Sequence, residues 1–174
     1  MWLDGDDERT ARELVARGHA ADGRPVMMGA ALSELTLPPL GDLRWSEVGE
    51  LAAVATINDA AYGFPPPAFH AALRRLPDPS YRAYLAFEGE RAVSSVVTWD
   101  SPDGDCGITA VATLPELGRR GLATRLLAAA LGAARGRGAK TTTLQASTKG
   151  GPVYERLGYR NLGSMSLWEH RVQP

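Results

Sequence analysis

The sequence predicts an α/β fold: a mixed, mostly antiparallel sheet flanked by helices, with an α/β appendage at the N-terminus. Three observations predict it. Strand-like runs Tyr81 to Glu88, Arg91 to Trp99 and Cys106 to Leu114 follow one another across turns rich in Asp, Glu, Gly and Pro, so they should be antiparallel neighbours. The third run passes through a Gly/Arg turn into a strongly helical stretch. That stretch is followed by the threonine-rich strand pattern Thr141 to Ala146, the order of a β-α-β crossover.

Residues 1–36 read as the appendage. A short helix ends in Leu14-Val15-Ala16-Arg17-Gly18-His19, and Val26-Met27-Met28 reads as a strand. This pair partly echoes Tyr154-Glu155-Arg156-Leu157-Gly158-Tyr159 and Met165-Ser166-Leu167, either as a half-repeat or by coincidence between two helix-Gly-strand units. Met27, Met28, Leu32 and Leu35 argue against a disordered tail, leaving a packed extra layer or a dimerisation arm. Leu37-Pro38-Pro39-Leu40-Gly41 reads as the linker, and residues 42–174 as the main domain.

In the main domain, Ser46 to Tyr62 reads as a helix with Ser46 as N-cap and Val48, Leu51, Val54 and Ala55 on one buried face. It stops near Gly63. Prolines 65–67 then separate it from a second helix, where Phe69, Leu73 and Leu76 share a face. After the three strands, Leu122, Leu126, Leu127, Ala130 and Leu131 recur at helical spacing, so a helix is expected from about Gly121 to Arg135. A short helix from Gly151 to Leu157 stops at Gly158. Terminal strands follow, the last from about Met165 to Val172.

The 174 residues are 44% hydrophobic and 22% charged, enough for one well-buried domain. Nineteen basic and 20 acidic residues nearly cancel, which leaves no broad basic surface for nucleic acid and no polybasic membrane anchor. No run approaches the length of a membrane span, and the acidic start lacks the order of a secretory signal, so a cytoplasmic protein is expected. The single Cys106 lies in an apolar run and reads as a buried thiol. His19, His70 and His170 are too scattered in sequence to suggest a metal motif, and no metal is expected.

The chemistry is concentrated in Val111-Ala112-Thr113-Leu114-Pro115-Glu116-Leu117-Gly118-Arg119-Arg120-Gly121-Leu122-Ala123-Thr124. A helix start leaves backbone N–H groups unpaired and carries partial positive charge, so a glycine-containing turn leading into it can hold a phosphate or pyrophosphate. Arg119 and Arg120 either add guanidinium contacts or remain solvated. Gly132, Gly136 and Gly138 fall at a helix exit, where a dinucleotide fingerprint does not belong. Lys140-Thr141 follows Ala139, so the Gly-Lys-Thr of a triphosphate loop is absent.

This turn, together with Ser147-Thr148-Lys149-Gly150-Gly151-Pro152-Val153-Tyr154-Glu155-Arg156-Leu157-Gly158-Tyr159, resembles the GNAT superfamily of acetyl-CoA-dependent N-acetyltransferases from roughly Arg44 to Trp168. The family's turn, Gln/Arg-x-x-Gly-x-Gly/Ala, lands on Gly118-Arg119-Arg120-Gly121-Leu122-Ala123. Gly118 departs from it and supplies backbone freedom in place of a side-chain contact. Ser147 stands where an Asn is common, Gly150 where an Ala is common, and Tyr154 falls on the family's tyrosine.

The resemblance implies direct transfer from acetyl-CoA to an amine of a small molecule or peptide in a ternary complex. It gives the pantetheine arm to Val111, Ala112 and Thr113, the pyrophosphate to Gly118 through Thr124, and a contact with the cofactor arm to Ser147. A bulged strand edge would make room for the thioester. Tyr154, whose side-chain type titrates near about 10, would protonate the departing thiolate. Tyr159 reads as packing. No general base is visible, while Asp59, Tyr62 and Glu88 are candidates to line the acceptor cleft. A CoA-binding module without transfer activity, and transfer of a longer acyl group, are the alternatives.

Overall fold

The computed structural model describes residues 1–4, 7–65, 67–73 and 79–170. In chain order the elements are β1 (Trp2–Asp4), α1 (Glu8–Ala16), β2 (His19–Gly23), β3 (Val26–Ala31), β4 (Arg44–Val48), α2 (Ala52–Tyr62), α3 (Ala68–Leu73), β5 (Tyr81–Glu88), β6 (Arg91–Asp100), β7 (Asp105–Thr113), a 3-10 turn (Pro115–Leu117), α4 (Leu122–Gly136), β8 (Thr141–Ala146), α5 (Gly151–Leu157) and β9 (Arg160–His170). They form a mixed α/β fold with a mostly antiparallel sheet flanked by helices, as expected. The chain divides into two compact units, Ala31–Thr143 and Met1–Ala30 with Leu144–Pro174.

In the Ala31–Thr143 unit, β4, β5, β6 and β7 are successive antiparallel neighbours. Alternation along β5 sends Ala83 and Leu85 into a core with Val93 and Val97 of β6, Val54 and Ile57 of α2, and Leu73 of α3. Tyr84, pointing the other way, gives its hydroxyl to the α4 side, where Arg137 Nη1 donates to it at 3.1 Å. Helix α4 packs across β5, β6 and β7 through Leu126, Leu127, Ala130, Leu131 and Ala134. Each buried leucine contributes about 2 kcal/mol, whereas a solvated ion pair such as Arg91–Glu116 contributes little. Packing therefore holds these helices.

Asp105 accepts from Thr141 Oγ1 (2.7 Å) and Thr143 Oγ1 (2.6 Å), and Cys106 O accepts from Thr142 Oγ1 at 2.8 Å. The starts of β7 and β8 are thus side by side, the parallel arrangement that a helical crossover produces. Cys106 is fully buried, and loss of hydration pushes its thiol up to about 12. At about pH 8 such a thiol is about one part in 10⁴ thiolate. Ellman's reagent should leave the native protein unlabelled for hours and label one thiol at once in guanidinium.

In the other unit β9 pairs antiparallel with β1, β2 and β3. Helices α1 and α5 each run into a left-handed glycine, Gly18 (φ 78°) and Gly158 (φ 104°), before the next strand.

Two sequence expectations are corrected. Residues 46–48 are strand, so Ser46 caps no helix: Arg44–Val48 pairs in register with Phe87–Ala83, and the helix begins only at Ala52. Tertiary pairing of a Trp- and Val-containing segment overrides its helical spacing. The terminal strands are one strand, because a register shift around Leu162 and a left-handed Gly163 (φ 124°) let a single chain bend while pairing continues. Separately, His19 and His170, remote in sequence, occupy one cross-strand pair, with ring centroids 5.1 Å apart. Leu76 and Val172 lie outside the described residues.

Candidate active site

The middle of β7 does not keep its ladder with β6. Ser95 pairs with Ala112 and Val97 with Thr109, so Ala110 and Val111 together face Val96. Ala110 is left-handed (φ 48°), a conformation that costs a non-glycine residue roughly 1–2 kcal/mol. Hydrogen bonds hold it there. The Ala110 carbonyl accepts from Ser95 Oγ at 3.0 Å and from Asn58 Nδ2 at 3.5 Å, and Asn58 also donates to Ser95 Oγ at 3.0 Å and to Val54 O at 2.8 Å.

Tyr62, one turn further along α2, places its hydroxyl 3.4 Å from Val111 O. Its ring is about half exposed, but desolvation at the hydroxyl end raises the phenol above its ordinary range. Beyond the bulge, Ser94 Oγ donates to Ala112 O (2.7 Å) and meets Thr113 Oγ1 at 2.8 Å. The sequence reading missed Asn58, Ser94 and Ser95. The signal for Asn58 was a polar residue four positions after Val54 on an apolar helix face.

Downstream, the 3-10 turn leads through Gly118 and a left-handed Arg119 (φ 61°) to Gly121 (φ 72°), which caps α4. The first helical bond is Arg125 N to Gly121 O at 3.0 Å, and Thr124 Oγ1 also donates to Gly121 O. Among the described residues, the N–H groups of Arg119, Arg120, Gly121, Leu122, Ala123 and Thr124 make no hydrogen bond. A Cβ on Gly118 would lie 3.3 Å from Pro115 O, a steric reason for the missing side chain there. Arg120 Nη1 lies 2.7 Å from Glu88 Oε1, so both are engaged with each other.

Ser147 and Tyr154 belong to the second unit. Ser147 Oγ accepts from Gly150 N at 3.2 Å. The Tyr154 ring meets the buried Tyr159 edge to face, with centroids 5.7 Å apart. A Cβ on Gly150 would come within 3.2 Å of Tyr154 Cε2 and 3.3 Å of Ser147 Oγ, so glycine is what lets all three approach. The predicted residues Val111, Ala112, Thr113 and Gly118 to Thr124 are therefore brought together in one unit, and Ser147 and Tyr154 in the other.

Residues 45–159 match the model of the acetyltransferase (GNAT) family, well over half the chain. The chain belongs to the GNAT family. Solved structures similar to this GNAT chain include a GCN5-related N-acetyltransferase from Kribbella flavida, with 22% identity and a TM-score of 0.68 over 95% of this chain and 65% of that one. A second, from Sphaerobacter thermophilus, gives 20% and 0.63 over 96% and 57%. The ribosomal-protein-S18-alanine N-acetyltransferase of Escherichia coli gives 18% and 0.60 over 72% and 90%. The chain thus spans 65% and 57% of the first two proteins, and at these identities the likeness is one of fold. No curated protein matches it. Among the described residues no helix is long and apolar enough to cross a membrane.

Proposed function

We propose that this GNAT chain moves an acetyl group from acetyl-CoA to a primary amine by direct transfer, within the cytoplasm. The observation that carries the reading is the run of unpartnered N–H groups from Arg119 to Thr124 at the start of a 15-residue helix. These groups suit a diphosphate, because bare amides and the positive end of the helix dipole both favour an anion. Val111, Ala112 and Thr113, beside a bulge braced by Asn58 and Ser95, are assigned to the pantetheine arm. Ser147 is assigned to the cofactor arm.

Tyr154 is assigned as the general acid that gives its phenolic proton to the departing thiolate. Calorimetry with acetyl-CoA tests donor binding. At about a hundredfold excess over Kd, ligand linkage should stabilise the protein by about 2.7 kcal/mol, a rise in Tm of about 5–10 °C for this size. Thiol release across a panel of amines then tests transfer. No heat and no thermal shift would overturn the reading, whereas binding without thiol release from any amine would mark a CoA-binding module.

A further inference from the structure

Between α2, the Gly63–Pro65 connection and α3 lies a cavity of about 490 Å³, lined by Thr56, Asp59, Phe64, Pro65 and His70 among others. Its wall holds a buried acid. Asp59 is 2% exposed; Oδ1 accepts from Phe69 N at 2.9 Å, and among the described residues Oδ2 has no hydrogen-bond partner. Bracing α3 needs only the first oxygen, and an asparagine would supply it. A buried carboxyl oxygen left without a partner is costly, and a cation placed opposite it would offset that cost. His70 does not fill that role, since its Nε2 meets Thr56 Oγ1 at 3.4 Å instead.

Tyr62, Phe64 and Phe69 form a triangle of rings beside the cavity, with centroids 6.1–6.2 Å apart. Tyr62 and Phe64 are 53% and 47% exposed, an aromatic surface left open next to a buried acidic side chain. Ring faces attract cations and cover apolar stems. On α2, Thr56, Ala60 and Gly63 share the face that lines the cavity, whereas Asn58 projects from the opposite side toward the β7 bulge.

We infer that this cavity is a recognition site for an organic ammonium with an apolar or aromatic body, the ammonium paired with Asp59 and the body laid against Phe64. This binding does not rest on the transfer reading above. The ammonium is thus anchored through a face of α2 distinct from the one that braces the bulge.

The test is equilibrium binding of 2-phenylethylammonium, without CoA, followed by ligand-observed NMR. The neutral 2-phenylethanol serves as control. Wild type should bind the ammonium at least about tenfold more tightly than the alcohol. Asp59→Asn, which keeps an oxygen for Phe69 N, should lose that preference while retaining its Tm. Phe64→Ala should weaken both ligands several-fold. No binding to wild type, equal binding of the alcohol, or an unchanged preference in Asp59→Asn overturns the site.

Discussion

Tyr154→Phe is expected to lower kcat by about 10²–10³-fold while leaving the Kd for acetyl-CoA within about twofold of wild type. The substitution removes one hydroxyl and keeps the ring. The edge-to-face contact with Tyr159 and the close approach to Gly150 involve ring atoms, so phenylalanine should maintain both and the Tm should hardly change. What disappears is the proton proposed to pass to the thiolate. A thiolate leaving unprotonated is a poorer leaving group, and the loss appears in the chemical step rather than in donor binding. Single-turnover thiol release with saturating acetyl-CoA isolates that step. An unchanged rate would remove Tyr154 from the mechanism, and a loss of donor affinity would assign it to binding.

The second large effect is expected at the turn. Gly121→Val should weaken acetyl-CoA at least about tenfold and lower Tm by a few degrees, because Gly121 is left-handed (φ 72°) and a β-branched residue pays roughly 1–2 kcal/mol there. Space is not the obstacle, since a Cβ would meet only Thr124 Oγ1 at 3.6 Å. Relief of the backbone strain would rotate the amides of Leu122 and Ala123 away from their common direction. Gly121→Asn separates the two causes: asparagine tolerates the left-handed region, so it should keep most of the affinity. Calorimetry on both variants decides, and equal Kd values for Gly121→Val and wild type would overturn the assignment of these amides to the donor.

Strands β5 to β8 and helix α4 were legible because short polar turns and strong periodicities fall on buried elements. Val93, Val97 and Leu85 alternate into the core, and Leu126, Leu127 and Leu131 share a helix face. The turn from Gly118 to Gly121 was legible as a turn because its glycines fall between a strand and a helix. Residues 46–48 were misread because their strand character comes from β5, nearly forty residues away, rather than from their own pattern. The strands β1 and β2 went unread. Each is short, and their pairing with β9 spans nearly the whole sequence. The bulge at Ala110 was expected only as some irregular edge. Its cause lies in Asn58 and Ser95, and a cross-chain hydrogen-bond network leaves no local trace.

The way β9 collects its neighbours bears on how the molecule is made. β1, β2 and β3 come from the first thirty-one residues and β9 from residues 160–170. At ribosomal speeds of about 5–20 residues per second, the early strands wait on the order of ten seconds with their edges open before their partner leaves the exit tunnel. That interval, more than the stability of the finished protein, is when these strands are exposed to wrong partners.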